Sequence, residues 1–147
     1  MYTHILIPID DSELSETAIG AGIRFAKSIG AKVTGFIAEP EYEIPTLGDS
    51  VSGRGMSMAQ HEAKAREHAE ACLERIAVRA REAGVEFHAD YAQSNYPHEA
   101  IITAAGKNGC DLILMATHGR RGLSALLHGS ETREVMSRAP VPVLVYR

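Results

Sequence analysis

The sequence predicts an α/β fold: a single-domain, open and mainly parallel sheet of five strands, order 3-2-1-4-5, with helices on both faces. Three observations lead there. Short apolar runs, most of them rich in Val and Ile, alternate along the chain with stretches of helical periodicity. The first and fourth runs are almost continuously apolar, as central strands covered on both faces should be. The length, 147 residues, suits one compact domain that buries a core without disulfide or metal staples.

Ile5 to Ile9 is the first predicted strand, and Asp10 ends it. Ser12 is an N-cap candidate for a helix whose apolar face is drawn by Ala18, Ala21, Gly22, Phe25, Ala26 and Ile29. The second strand is Val33 to Ala38. Residues 39–60 then break the rhythm with Pro40, Pro45, Gly48, Gly53 and Gly55, and read as a flexible loop placed to fold over the strand ends. Its acidic start, Glu39 to Glu43, reads as a solvated face. Ala65, Ala69, Cys72, Leu73, Ile76 and Ala80 mark a long helix ending near Gly84, before a third strand from Val85 to Tyr91. Pro97 fits the first turn of a helix carrying Ile101, Ala104 and Ala105. After the fourth strand, Leu112 to Met115, the last helix carries Thr132, Val135, Met136 and Ala139, and Pro140 and Pro142 stop it ahead of a fifth strand, Val141 to Tyr146. Right-handed crossovers wind strands outward on both sides of strand one, so the winding reverses between strands one and four, where ligands bind in such sheets.

Composition narrows the function. With 45% hydrophobic and 23% charged residues and a net charge of -4, the chain has an ordinary soluble composition. Nothing in it resembles a nucleic-acid footprint, since the Arg120-Arg121 pair is local. No apolar run approaches the roughly twenty residues of a membrane span. Met1 leads directly into the first strand without a basic leader, which with only Cys72 and Cys110 as cysteines points to a reducing cytoplasm. Both cysteines read as small core or boundary residues. The Walker pattern is absent, Gly20-Ala21-Gly22 falls inside a helix and Gly53-Arg54-Gly55 inside a loop, and the seven histidines lack metal-ligand spacing.

The stretch Ala116-Thr117-His118-Gly119, nine residues, then Gly129-Ser130 joins a strand end to a helix start. Backbone amides around Gly119 can form an anion-binding concavity, while Gly129 and Ser130 offer close approach, a hydroxyl and unpaired helix N–H groups. The predicted strand order sets Asp10 opposite this stretch. Glu131 places a negative charge at the positive end of its helix.

Pro8-Ile9-Asp10-Asp11-Ser12, Asp111 through Arg120, Gly129-Ser130 and Pro142-Val143-Leu144-Val145 together resemble the universal stress protein family, over essentially the whole chain. Its nucleotide-binding members carry Gly-x-x-Gly, nine residues, then Gly-Ser or Gly-Thr. Gly119, Gly129 and Ser130 match, and Ala116 stands in place of the first glycine. A left-handed backbone at Ala116 would cost roughly 1 to 2 kcal/mol. Asn95-Tyr96-Pro97 stands where the family often has Gly-x-Pro, and asparagine tolerates a left-handed turn.

The resemblance implies an adenine nucleotide alpha hydrolase-like fold that binds ATP, with AMP or ADP as alternatives. It sets Pro8 and Asp10 near the ribose and phosphates, the backbone of Ala38 against adenine, and Gly119, Gly129 and Ser130 around the phosphates. His118 either holds the turn of that loop or takes part in catalysis, Arg120 and Arg121 either neutralise phosphate charge or are solvated, and Thr132 either adds a hydroxyl or packs. Magnesium would be held through phosphate oxygens near Asp10 and not by protein ligands alone. The same resemblance implies a homodimer through residues 141–146, a client protein and a binding switch more than a catalyst. Two alternatives stay open. One is slow ATP hydrolysis or phosphoryl transfer, for which no base or phosphate lysine is recognisable. The other is a dimeric scaffold without nucleotide, motivated by Ala116.

Overall fold

The computed structural model describes residues 1–10, 13–53, 55–116 and 129–146. In chain order the elements are β1 (His4–Ile9), α1 (Glu13–Ile29), β2 (Lys32–Glu39), α2 (Leu47–Val51), α3 (Met58–Ala83), β3 (Phe87–Gln93), α4 (Pro97–Lys107), β4 (Leu112–Ala116), α5 (Gly129–Arg138) and β5 (Val143–Tyr146). The strands form one parallel sheet in the order β3-β2-β1-β4-β5, the order the sequence predicts.

Side-chain alternation along each strand divides the core in two. Ile5, Ile7 and Ile9 of β1, Val33 and Ile37 of β2, and Leu112 and Leu114 of β4 meet Ile19 and Ile23 of α1 and Leu73 and Ile76 of α3. On the other face Leu6, Phe36, Ile113 and Met115 pack with Ile101 and Ala104 of α4 and Val135 of α5. Every residue of β1 and β4 is buried, which is why these strands read as unbroken apolar runs. At the amino ends of the strands, Asp111 accepts from the N–H groups of Thr3 and His4 and from the Thr3 hydroxyl, fixing β1 beside β4. Burial opposes ionisation of Asp111, but these donors outweigh it and hold its carboxyl below the ordinary value. Among the described residues no helix is long and apolar enough to cross a membrane.

Several boundaries depart from the sequence reading. The predicted loop at 39–60 contains α2, whose N-cap Thr46 and Asp49 form a capping box, and α3 starts at Met58 behind a second capping box, Ser57 with Gln60. The third strand begins at Phe87 and not Val85, because the Val85 N–H bonds Ala80 O to close α3 past Gly84, which sits at φ 73°. The fifth strand begins at Val143, after Pro142, which has no N–H to donate.

Candidate functional site

The carboxyl ends of β1 and β2 are level, since Ile9 pairs with Ile37, and the next residues along are Asp10 and Ala38. Above them opens a cavity of about 280 Å³. Pro8, Ile9 and Asp10 line it from β1 and its exit, Phe36 to Glu39 from β2, His68 from α3, and Pro97 and Ile101 from α4. Three predicted site residues, Pro8, Asp10 and Ala38, therefore come together. The walls are mostly apolar, with two carboxylates and one imidazole: surfaces for a flat ring, and acceptors for hydroxyl groups. The volume lies just below the roughly 300–1,000 Å³ common for small-molecule pockets.

The rim is tied by polar contacts across distant segments. Glu39 O accepts from the Ser94 N–H at 2.8 Å, joining the end of β2 to the turn after β3. Asn95 Oδ1 accepts from the Glu41 N–H at 3.1 Å. His61 Nε2 meets Pro40 O at 2.8 Å, and the Tyr42 hydroxyl donates to Met56 O at 3.0 Å. Glu39 corrects the reading of a solvated acidic stretch: it is 7% exposed, and His68 Nδ1 donates to its Oε1 at 2.6 Å. Glu41 and Glu43 are exposed, as expected.

No non-glycine residue among those described has a positive φ. Neither Ala116 nor Asn95 therefore occupies the left-handed region weighed for them. Ala116 ends β4 as an ordinary buried strand residue opposite Tyr146, and Asn95 serves through its side chain.

Beyond β4 the structure places only part of the predicted phosphate segment. His118, Gly119 and Arg120 lie outside the described residues. Gly129 and Ser130 are the first two residues of α5, where helix N–H groups lack intrahelical acceptors. Thr132 is buried, which favours its packing role. Glu131 reaches beyond its own helix: its Oε2 accepts from the His98 N–H and from His98 Nδ1, both at 2.8 Å, and so caps the start of α4.

Sequence reasoning missed Glu39, His68 and Ile101 as cavity residues. Glu39 and His68 stand 29 positions apart, and only the packing of α3 against β2 brings them into contact. The available signal was local: residues at i and i+4 share a helix face, so His68 and Cys72 had to be neighbours.

A family model described as the universal stress protein family matches residues 1–147. The universal stress protein MJ0531 of Methanocaldococcus jannaschii is 30% identical over 148 residues, covering 100% of this chain and 83% of the relative. The universal stress protein MJ0577 of the same organism is 31% identical over 157 residues, covering 100% of this chain and 96% of the relative. A solved structure of MJ0577 has a TM-score of 0.76 at 30% identity, over 99% of this chain and 95% of that one. The structure of the universal stress protein from Archaeoglobus fulgidus in complex with dAMP, 18% identical, shares the fold with a TM-score of 0.69, over 99% of this chain and 98% of that one.

Proposed function

The chain belongs to the universal stress protein family, and from that membership we propose that it binds ATP at the carboxyl ends of β1 and β4 as a nucleotide-responsive dimer. One observation carries the reading: the cavity past β1 and β2 is walled by Pro8, Asp10 and Ala38, the residues the family pattern assigns to ribose and adenine. Adenine enters beside the Ala38 backbone, and the ribose hydroxyls donate to Asp10. The phosphates continue toward His118, Gly119 and Arg120 and the α5 start at Gly129 and Ser130, with magnesium on the phosphate oxygens near Asp10. AMP and ADP fill the same cavity with fewer phosphate contacts. The dAMP held by the Archaeoglobus fulgidus protein supports an adenine nucleotide in this fold. The dimer pairs residues 141–146, works in the cytoplasm and presents a nucleotide-dependent surface to a client protein.

Calorimetric titration with ATP, ADP, AMP and cyclic AMP, with and without magnesium, tests this. ATP should release heat with one site per chain. Gly129→Val, which puts a branched side chain at the helix start, should weaken that binding at least about tenfold, the order of one lost charge-assisted contact. Absence of heat and of thermal stabilisation with every nucleotide overturns the proposal.

A further inference from the structure

We infer that Cys72, His68 and Glu39 form a thiol-modification site, in which the cysteine, activated by the histidine, reacts with small hydroperoxides. His68 and Cys72 share a face of α3, one turn apart, and Cys72 Sγ lies 3.5 Å from His68 Nε2. On its other side the ring is held by Glu39, whose Oε1 is 2.6 Å from Nδ1. An ionised carboxylate only accepts, so Nδ1 carries a hydrogen, and Nε2 is the ring atom that faces the thiol. This is the nucleophile, base and orienting carboxylate that thiol chemistry requires. Arg75 Nη2, at 3.9 Å from Sγ, adds a positive charge that favours the thiolate. Glu16 of α1 is one of the carboxylates near this cluster. It meets Arg75 at 3.9 Å and pairs at 2.7 Å with Arg79.

Cys110 supplies an internal contrast. Neither cysteine is in a disulfide and the two are similarly buried, 6% exposed at Cys72 and 5% at Cys110. Burial pushes the Cys110 thiol up to about 11, and the Thr34 hydroxyl is its hydrogen-bonding neighbour in place of an imidazole. His68 lines the cavity, and Cys72 is buried one turn along the same helix face.

The reaction balances within the site. The Cys72 proton passes to His68 Nε2, and the sulfur electron pair attacks one peroxide oxygen. An S–O bond forms as the O–O bond breaks, and the departing oxygen takes the proton back from His68 and leaves as water or an alcohol. Sulfur is oxidised to a sulfenic acid, and the hydroperoxide is reduced.

The test treats the intact protein with hydrogen peroxide, traps sulfenic acid with dimedone and compares the two cysteine peptides by mass spectrometry. Cys72 should acquire the adduct at least about tenfold faster than Cys110, as expected for a partly ionised thiol against a neutral one. His68→Gln should bring Cys72 down to the rate of Cys110. A pH profile of Cys72 alkylation by iodoacetamide needs no variant, and its midpoint should fall below the ordinary thiol value of about 8.5. Equal adduct rates at the two cysteines, an unchanged rate in His68→Gln, or a midpoint at or above the ordinary value each overturns the proposal.

Discussion

Gly20 and Gly22, two residues apart in α1, face opposite consequences on gaining a methyl group. A Cβ at Gly22 would lie 2.5 Å from Ile7 Cδ1 and 3.5 Å from Leu114 Cδ2, and both neighbours are buried in the core. Ile7 must then leave its rotamer within a filled space, an overpacking cost of about 1–3 kcal/mol. That exceeds the roughly 0.5–1 kcal/mol that alanine gains over glycine inside a helix. At Gly20 the first atom met is Arg24 Nη1 at 3.4 Å, the end of a long exposed side chain that can move away. Urea unfolding should therefore show Gly22→Ala destabilised and Gly20→Ala stabilised by about 0.5–1 kcal/mol. Two shifts of the same sign would contradict the packing described for α1 on β1. Periodicity already set Gly22 on the apolar face of α1 and Gly20 off it. The closeness of Ile7 was not legible, because it depends on how far a helix stands from its sheet. Ala116 teaches the same lesson: the sequence shows the missing glycine, whereas only the backbone shows that no left-handed conformation is required there.

Between elements, the contact that organises the phosphate-side helix is made by one carboxylate. Glu131, in the first turn of α5, accepts two hydrogen bonds from His98 at the start of α4, and both residues are largely shielded from water. Removing it leaves the His98 N–H and ring without their acceptor. Glu131→Ala should cost about 1–2 kcal/mol in urea unfolding, while Glu131→Gln, which keeps a carbonyl acceptor, should recover more than half of that loss. Equal stability of the alanine and glutamine variants would show that the charge at the helix end matters and the bonds to His98 do not. Sequence alone pointed to that helix-end role, since nothing in it links positions 33 apart. Local signals in the chain are rich. Thr46-x-x-Asp49 and Ser57-x-x-Gln60 announce the starts of α2 and α3, yet the prolines and glycines around them gave the stretch the look of a loop. Cavity residues contributed by strand ends, Pro8, Asp10 and Ala38, followed from topology. Those contributed by helix faces, His68 and Ile101, did not, because which residue of a helix overhangs a strand end depends on its crossing geometry.

At the scale of the molecule, the sheet has two edges of different character. β3 presents His88, Asp90 and Gln93 along its length, whereas β5 is Val-Leu-Val-Tyr with no charged residue, and Leu144 is 42% exposed. Charged side chains on an edge discourage further pairing, and an apolar edge without them invites it. A two-fold axis beside β5 would let the edge meet its own copy, each Leu144 facing the same patch on the partner, and would satisfy backbone groups that β4 leaves unpaired. Exposed Met136 of α5 precedes that strand and widens the apolar surface. The proposed dimer should therefore break at Leu144→Asp, which brings two like charges together across the axis at a cost of several kcal/mol. Sedimentation velocity should show the native chain as a dimer at micromolar concentration and the variant as a monomer. Because Leu144 stands outside both core clusters, the monomeric variant should still unfold cooperatively. A native chain that sediments as a monomer throughout, or a Leu144→Asp dimer of undiminished affinity, would exclude pairing through β5 and leave the apolar edge to the client protein.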